Sequence, residues 1–420
     1  MKRIISVLVT AVMIFTLAFQ CSFAAQVTAD EAYSSTGKTI YENTAKSPAY
    51  GSEWHILGLA RSEYAGCDEM FEKYYEDVVK TLKDSRGVLS NNKYTEYSRV
   101  IVAVKSIGRN PRNTGGYDMT AKLLEKEKVT GQGLNGPIWA LIALNTGGYA
   151  DSSAKFKKIT KEYIAYILDA EKDSGGWALN SSDTKADADV DITGMALTAL
   201  APYYKENSNV REAADRAVLW LSEVQKDDGA YASWGTVNSE SCAQVTVALA
   251  SLGIDPNKDE RFIKNGKSVL DGLLGFYTDG GFKHVSTGKL NAMATEQGYY
   301  ALTAYFRFTG GKTSLYDMSD TGDATPAALT KAKIVSVKAV SEKGIKITWN
   351  KVRTAKGYQI KYSTKKNMTA AKTVTSGTLS KKITKLRSGK RYYFKVRAYK
   401  TADGSRIYGG WSSVKSVKVK

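Results

Sequence analysis

"IWALIALNTGG" spans residues 138–148, and its reading decides the fold. A helix formed from it is apolar on nearly every side, so it belongs inside a protein rather than on its surface. The phrase recurs as "WHILGLA" (54–60), "VIVAVKSIG" (100–108), "MALTALAPYY" (195–204), "VALASLGIDP" (247–256) and "YALTAYFRFTGG" (300–311). With Ala103, Ala140, Ala196, Ala248 and Ala301 taken as equivalent, the spacings are 37, 56, 52 and 53. Such periods predict stacked supersecondary units. Between the phrases lie amphipathic segments at 70–84, 117–129, 156–173, 210–229 and 260–277. Each carries one apolar stripe, as a half-exposed outer helix requires. Two layers follow, with six inner helices closing a ring: an all-α (α/α)6 toroid over residues 26–318.

"RAVLWLSEVQKDDGAY" (216–231) carries Arg216, Ala217, Trp220, Leu221, Gln225 and Gly229 at the spacing of the glutamine–tryptophan repeat, which it resembles. "YILDAEKDSGGW" (166–177) is a degenerate copy, with Glu171 in place of Gln, and "GFYTDGGF" (275–282) is fainter. The region from about 45 to 318 is similar to the toroid of squalene and terpene cyclases, protein prenyltransferases and transcobalamin-like proteins. The nearest look is to secreted bacterial prenyltransferase/squalene-oxidase repeat proteins. The resemblance implies a cavity at the ring's centre. From the transcobalamin-like relatives it implies that such a cavity can hold a ligand, a corrinoid for instance, without catalysis.

The two ends of the chain read differently. Residues 1–25 have a basic start, an apolar run and small residues before Ala25, the pattern of a secretory signal peptide. No later stretch approaches the ~20 apolar residues of a membrane span. Residues 319–329, "SDTGDATPAAL", read as a linker. From 330 to 420 the period switches to two, in short strands separated by turn residues. Leu386, Gly389 and Tyr392 stand at tyrosine-corner spacing, and this end resembles an all-β fibronectin type III sandwich.

Charge is divided unequally. Residues 331–420 hold 20 Lys and 5 Arg against Glu342 and Asp403, a net +23 within a chain of net +18. Lysines alternate along the strands at Lys343, Lys346, Lys361, Lys381, Lys382, Lys395, Lys415, Lys418 and Lys420. So basic an end on an exported chain predicts an anionic wall polymer or glycan as partner and localisation at the cell surface; export argues against nucleic acid. Two cysteines after the signal, Cys67 and Cys242, allow one bridge or two free thiols. No metal-ligand spacing, P-loop, G-x-S-x-G or H-E-x-x-H occurs, and metal or cofactor chemistry is not expected.

The chemistry-bearing positions lie where inner helices begin. "DADVDIT" (187–193) places Asp187, Asp189 and Asp191 before an apolar helix, with Thr193 close behind. Cyclases use an Asp-x-Asp-Asp acid; here Asp191 matches its central acid, but Ile192 stands where the last Asp belongs. A helix cap is the simpler reading of these aspartates. Five residues before each equivalent alanine stand Ser98, Asn135, Asp191, Ala243 and Glu296, with Glu240, Gln244 and Gln297 nearby. In a toroid these starts share one mouth. The expected ligand-binding set is Asp189, Asp191, Thr193, Glu240, Gln244, Glu296 and Gln297, with Trp177, Trp234 and His284 from loops after outer helices; Asp191 and Glu296 are the candidate acids. Three functions fit: a surface-associated binding protein, an exported cyclase-like or glycan-active enzyme, and a structural adhesive protein.

Overall fold

The computed structural model describes residues 27–180, 185, 187–322, 329–352, 355–402 and 405–420. The expected signal peptide and linker residues 323–328 lie outside them. Helix α1 (Ala29–Lys46) opens the described chain behind a Thr28–Glu31 capping box. Then follow α2 (Glu53–Arg61), α3 (Asp68–Asp84), α4 (Thr95–Ser106), α5 (Lys126–Thr130), α6 (Asn135–Asn145), α7 (Ala154–Leu168), α8 (Val190–Leu200) and α9 (Ser208–Val224). A hairpin of β1 (Ala232–Ser233) and β2 (Thr236–Val237) precedes α10 (Ser239–Leu252). After α11 (Val269–Leu274), a hairpin of β3 (Tyr277–Thr278) and β4 (Gly281–Phe282) leads into α12 (Ala292–Thr309).

Every one of the six repeated phrases falls wholly or largely within an even-numbered helix. These helices touch in ring order, α2–α4–α6–α8–α10–α12 and back to α2. Ala103, Ala140, Ala196, Ala248 and Ala301 are all fully buried in it, where small side chains let neighbouring helices approach. Residues 331–408 excepted, this is the toroid expected, with three differences. Helix α1 was not foreseen. The segments 117–129 and 260–277 do not form long outer helices. Gly115–Gly116 and Asn265–Gly266 are turns with positive φ, closed by the bridges Thr114–Tyr117 and Lys264–Lys267. Asn-Gly favours such a turn strongly enough to interrupt a helical pattern.

The repeat residues act as staples between hairpins. The Gln225 amide donates to the carbonyls of Gly229 (3.1 Å) and Phe262 (3.0 Å). Arg216 forks onto Glu171 of the preceding copy at 2.8 and 2.7 Å. Gly272 in α11 lies against the Gly229 turn, where an added Cβ would stand 2.4 Å from the Gly229 carbonyl. Backbone cannot yield there as a side chain can. Gly272→Ala is expected to lower stability by about 1–3 kcal/mol, read as a drop in the toroid's thermal midpoint.

The C-terminal part is a sandwich. One sheet runs β5 (Ile334–Ser341), β6 (Gly344–Trp349), β9 (Ser380–Ile383). The other runs β11 (Ser405–Tyr408), β10 (Arg391–Ala402), β7 (Gly357–Ser363), β8 (Lys372–Ser376), with β12 (Lys415–Lys418) also on β10. Strands β8 and β11 were not expected, being short and mostly polar. The tyrosine corner is present: the Tyr392 hydroxyl accepts from the Arg387 amide at 3.1 Å. Trp349, Tyr358, Ile360, Phe394 and Val396 fill the core.

The sandwich meets α3 through charge. Glu72 accepts from Lys400 at 3.2 Å and pairs with Arg109, while Glu76 pairs with Lys356 at 3.1 Å. The Lys400 side chain is 2 % exposed, which an ammonium tolerates only when paired. Among the described residues no helix is long and apolar enough to cross a membrane.

Candidate functional site

The first turns of the inner helices converge on one mouth of the ring, around a cavity of about 560 Å³. Trp54 comes from α2, Thr95, Glu96 and Arg99 from α4, Asn135 and Trp139 from α6, Asp191 and Met195 from α8. Glu240 and Gln244 come from α10, and Met293, Glu296, Gln297 and Tyr300 from α12. The rim is completed by Ser233, Trp234, Thr236 and Asn238 of the β1–β2 hairpin region and by His284.

Capping is divided differently from the expectation. Asp189 is the N-cap of α8, extended in backbone, its Oδ1 accepting from the amides of Asp191 and Ile192 at 3.0 Å each. Its other oxygen accepts from the Ser233 hydroxyl, joining the helix to the hairpin. Asp191 is thereby released from capping. It sits half-buried in the first turn, and its Oδ1 is buried with no hydrogen-bond partner. Burial pushes its carboxyl up to about 6; Ser241 and Ser233 oppose the rise, and the charges of Asp189 and Glu240 add to it.

Glu296, on the α12 side, is pushed up to about 7, chiefly by burial, with Arg99 opposing and Glu53 adding. His55 Nε2 stands 3.5 Å from its carboxylate, and His55 Nδ1 lies 3.1 Å from Thr44 Oγ1. Burial lowers the pKa of His55, so near neutrality it meets Glu296 as a neutral ring. Arg99 is held from behind by the fully buried Glu53 at 2.7 Å and by Glu96 at 2.5 Å. On the next helices, the Gln244 amide donates to Gln297 (3.0 Å) and to Tyr300 (2.7 Å). His284 Nδ1 lies 2.9 Å from Glu240, which also accepts from Ser239.

The site therefore gathers Asp191, Glu240, Gln244, Glu296, Gln297, Trp234 and His284 of the expected set around one cavity. Three others stand elsewhere. Asp189 lines a neighbouring groove rather than this cavity. Thr193 and Trp177 face neither: both are fully buried, the Trp177 amide donates to Thr193 Oγ1 (2.9 Å), and the indole donates to the Ile167 carbonyl (2.7 Å). They hold the loop onto α8, as the repeat's stapling role requires. Ser98 and Ala243 are likewise buried between helices. Sequence reasoning did not single out Trp54, Trp139, Arg99 or His55. The two indoles pack against each other, their rings 5.0 Å apart and tilted at 50°, and both line the cavity. Cys67 and Cys242 are both free and buried, and among the described residues no group of three or more His, Cys, Asp or Glu could hold a metal.

Comparison with known proteins divides the chain in the same way. Residues 331–408 match the fibronectin type III domain family. The chicken CNTN1 FN1–FN3 structure is 29% identical over 21% of this chain and 30% of its own, with a TM-score of 0.19. The chain thus spans less than a third of that relative. An unsaturated glucuronyl hydrolase from Bacillus sp. GL1, described as responsible for the degradation of glycosaminoglycan, is 14% identical. That alignment covers 70% of this chain and 100% of the hydrolase, with a TM-score of 0.51. An ent-copalyl diphosphate synthase from Streptomyces platensis is 16% identical over 62% of this chain and 50% of its own, at a TM-score of 0.39. No curated protein matches the chain. The helical part has the fold of a helical toroid, and residues 331–408 are a fibronectin type III domain.

Proposed function

We propose that this is an exported, surface-associated binding protein whose toroid mouth takes a saccharide. The observation that carries the reading is the composition of the cavity wall. Amides of Asn135, Gln244 and Gln297, hydroxyls of Thr95 and Thr236, and carboxyls of Asp191 and Glu296 stand there together with the indoles of Trp54 and Trp139. A sugar ring needs that combination: each hydroxyl both donates and accepts, and each ring offers an apolar face to a flat aromatic. The volume suits a small-ligand site. A cavity of this size also disfavours a purely structural toroid with a filled centre. The basic fibronectin type III domain serves as the tether, held to anionic wall polymer or glycan by contacts that salt screens.

A second reading has the burial of Glu296 in its favour, which pushes its carboxyl up to about 7, so that part of it keeps a proton at neutrality, the state a general acid needs. The Bacillus protein of the same fold acts on a glycosaminoglycan, which makes a glycan the first substrate class to try.

Native mass spectrometry of protein recovered from its own culture medium tests the binding reading, with Asp191→Ala alongside. Wild type should carry a mass matching hexose, hexosamine or uronate units, absent from the variant. A wild type that carries no adduct and binds no saccharide on titration overturns it. Release of new reducing ends, falling in Asp191→Asn and Glu296→Gln, would move the protein to the enzyme reading.

A further inference from the structure

The β1–β2 hairpin turns through Trp234 and Gly235, with Ser233 paired to Thr236. Both turn residues have positive φ, 50° and 75°. This turn favours Asn, Asp or Gly at its first position, and a bulky residue there is strained. Trp234 is moreover 87 % exposed. The indole therefore serves neither the turn nor the core, and an outlier of this kind points to function.

Its surroundings say what function. Trp234 and Ser233 line the central cavity and also a second groove of about 690 Å³ outside the ring. That groove is lined by Leu179, Val190 and Trp220 together with Asp187 and Lys226. Large apolar side chains are left in solvent in both: Leu179 lines the groove and Met293 the cavity, and Val237 is exposed on the hairpin strand opposite Ala232. Large apolar side chains left exposed in the lining of a cavity mark a binding surface. Two cavities that share Ser233 and Trp234 as a common wall offer room for more than one sugar unit.

We propose that the ligand is a saccharide polymer, whose chain passes from the central cavity over Trp234 into the outer groove, with the indole as the stacking surface between the two. The inference rests on the saccharide reading above. It adds that affinity grows with chain length and that Trp234 is the residue through which it grows.

Calorimetric titration with two ladders of one to six units tests this, one of N-acetylglucosamine oligomers and one of galacturonic acid oligomers. Wild type should bind the hexamer of one ladder about tenfold or more tighter than its monomer. Trp234→Asn places a favoured residue in the turn, so it should melt at or above the wild-type temperature. It should lose the gain with length. Leu179→Ser, which lines the groove and not the central cavity, should bind the monomer as wild type does and reduce the same gain, and it serves if the first variant fails to fold. Equal affinity for monomer and hexamer, or a gain kept by both variants, overturns the polymer inference and leaves the saccharide reading standing. Failure of both ladders at every length overturns the saccharide reading with it. Binding of a casein peptide digest by wild type alone, with neither ladder bound, would assign the path to peptide and overturn the proposal.

Discussion

Arg61→Met is expected to lower the stability of the toroid by about 3–5 kcal/mol, the largest effect of any single substitution considered for this chain. Arg61 lies in the last turn of α2 and is 2 % exposed. Its guanidinium donates to Leu315 O (3.0 Å), Ser314 O (3.0 Å), Asp317 O (2.8 Å), Thr313 Oγ1 (2.8 Å) and Asp320 Oδ1 (2.7 Å). The chain leaving α12 is thereby fixed to the first helix of the ring. Arg307 completes the seam, donating to Arg61 O (2.9 Å) and Thr313 O (2.8 Å) and pairing with Asp320. Methionine fills much of the volume but leaves the buried Leu315 carbonyl without its donor and removes a second and a third bond at Ser314 and Asp317. Chemical denaturation should show the toroid transition at lower denaturant. Arg61→Lys should recover only part of the loss, because an ammonium cannot reproduce the planar fork. A wild-type midpoint for Arg61→Met would mean that the seam does not hold the ring.

The second large effect depends on pH. The Asp191 carboxyl has an ordinary value of 3.8 and is pushed up to about 6 in the fold. Between those values the folded chain binds more protons than the unfolded one, so stability falls as pH rises. The protonated group is tolerated below about pH 4; above about pH 6 a buried charge must be carried. Asp191→Asn removes that burden. It should be more stable than wild type by on the order of 2–3 kcal/mol at pH 8, with the difference vanishing near pH 3.5. Thermal midpoints measured across that range check the sign. A difference independent of pH would place the carboxylate in a better-solvated setting than the structure describes. Because the same substitution should weaken ligand binding, the group would be one that function keeps against stability.

The inner layer was legible because burial on all sides leaves a composition that outer helices do not share. "IWALIALNTGG" can lie only in a core, and six such phrases demand a ring. The outer layer was less legible where a two-residue turn outweighed a helical pattern, as Asn265–Gly266 does within 260–277. At the site, counting five residues back from the alanines placed Asn135, Asp191 and Glu296 at one mouth, because equivalent positions on equivalent hairpins face the same way. Two kinds of residue escaped. Trp54 and Trp139 sit inside apolar runs and read as core. His55 and Arg99 take their roles from Glu296 and Glu53, partners distant in sequence, and no local pattern announces that. The division of labour between Asp189 and Asp191 was hidden as well. Two aspartates two residues apart both suit a helix start, and only the extended backbone at Asp189 decides which one caps.

The contact between α3 and the sandwich has a mechanical consequence. Glu72 grips Lys400 and Arg109, and Glu76 grips Lys356, so a load applied to the C-terminal domain reaches α3 directly. A joint made of ion pairs is stiff at small displacement and short in reach, giving way within a few ångströms, since charge pairs weaken quickly once water enters. The protein would then behave under flow as a brittle hinge. It would hold the ring at a set angle to the sandwich, and swing free once the load exceeds the grip of Glu72.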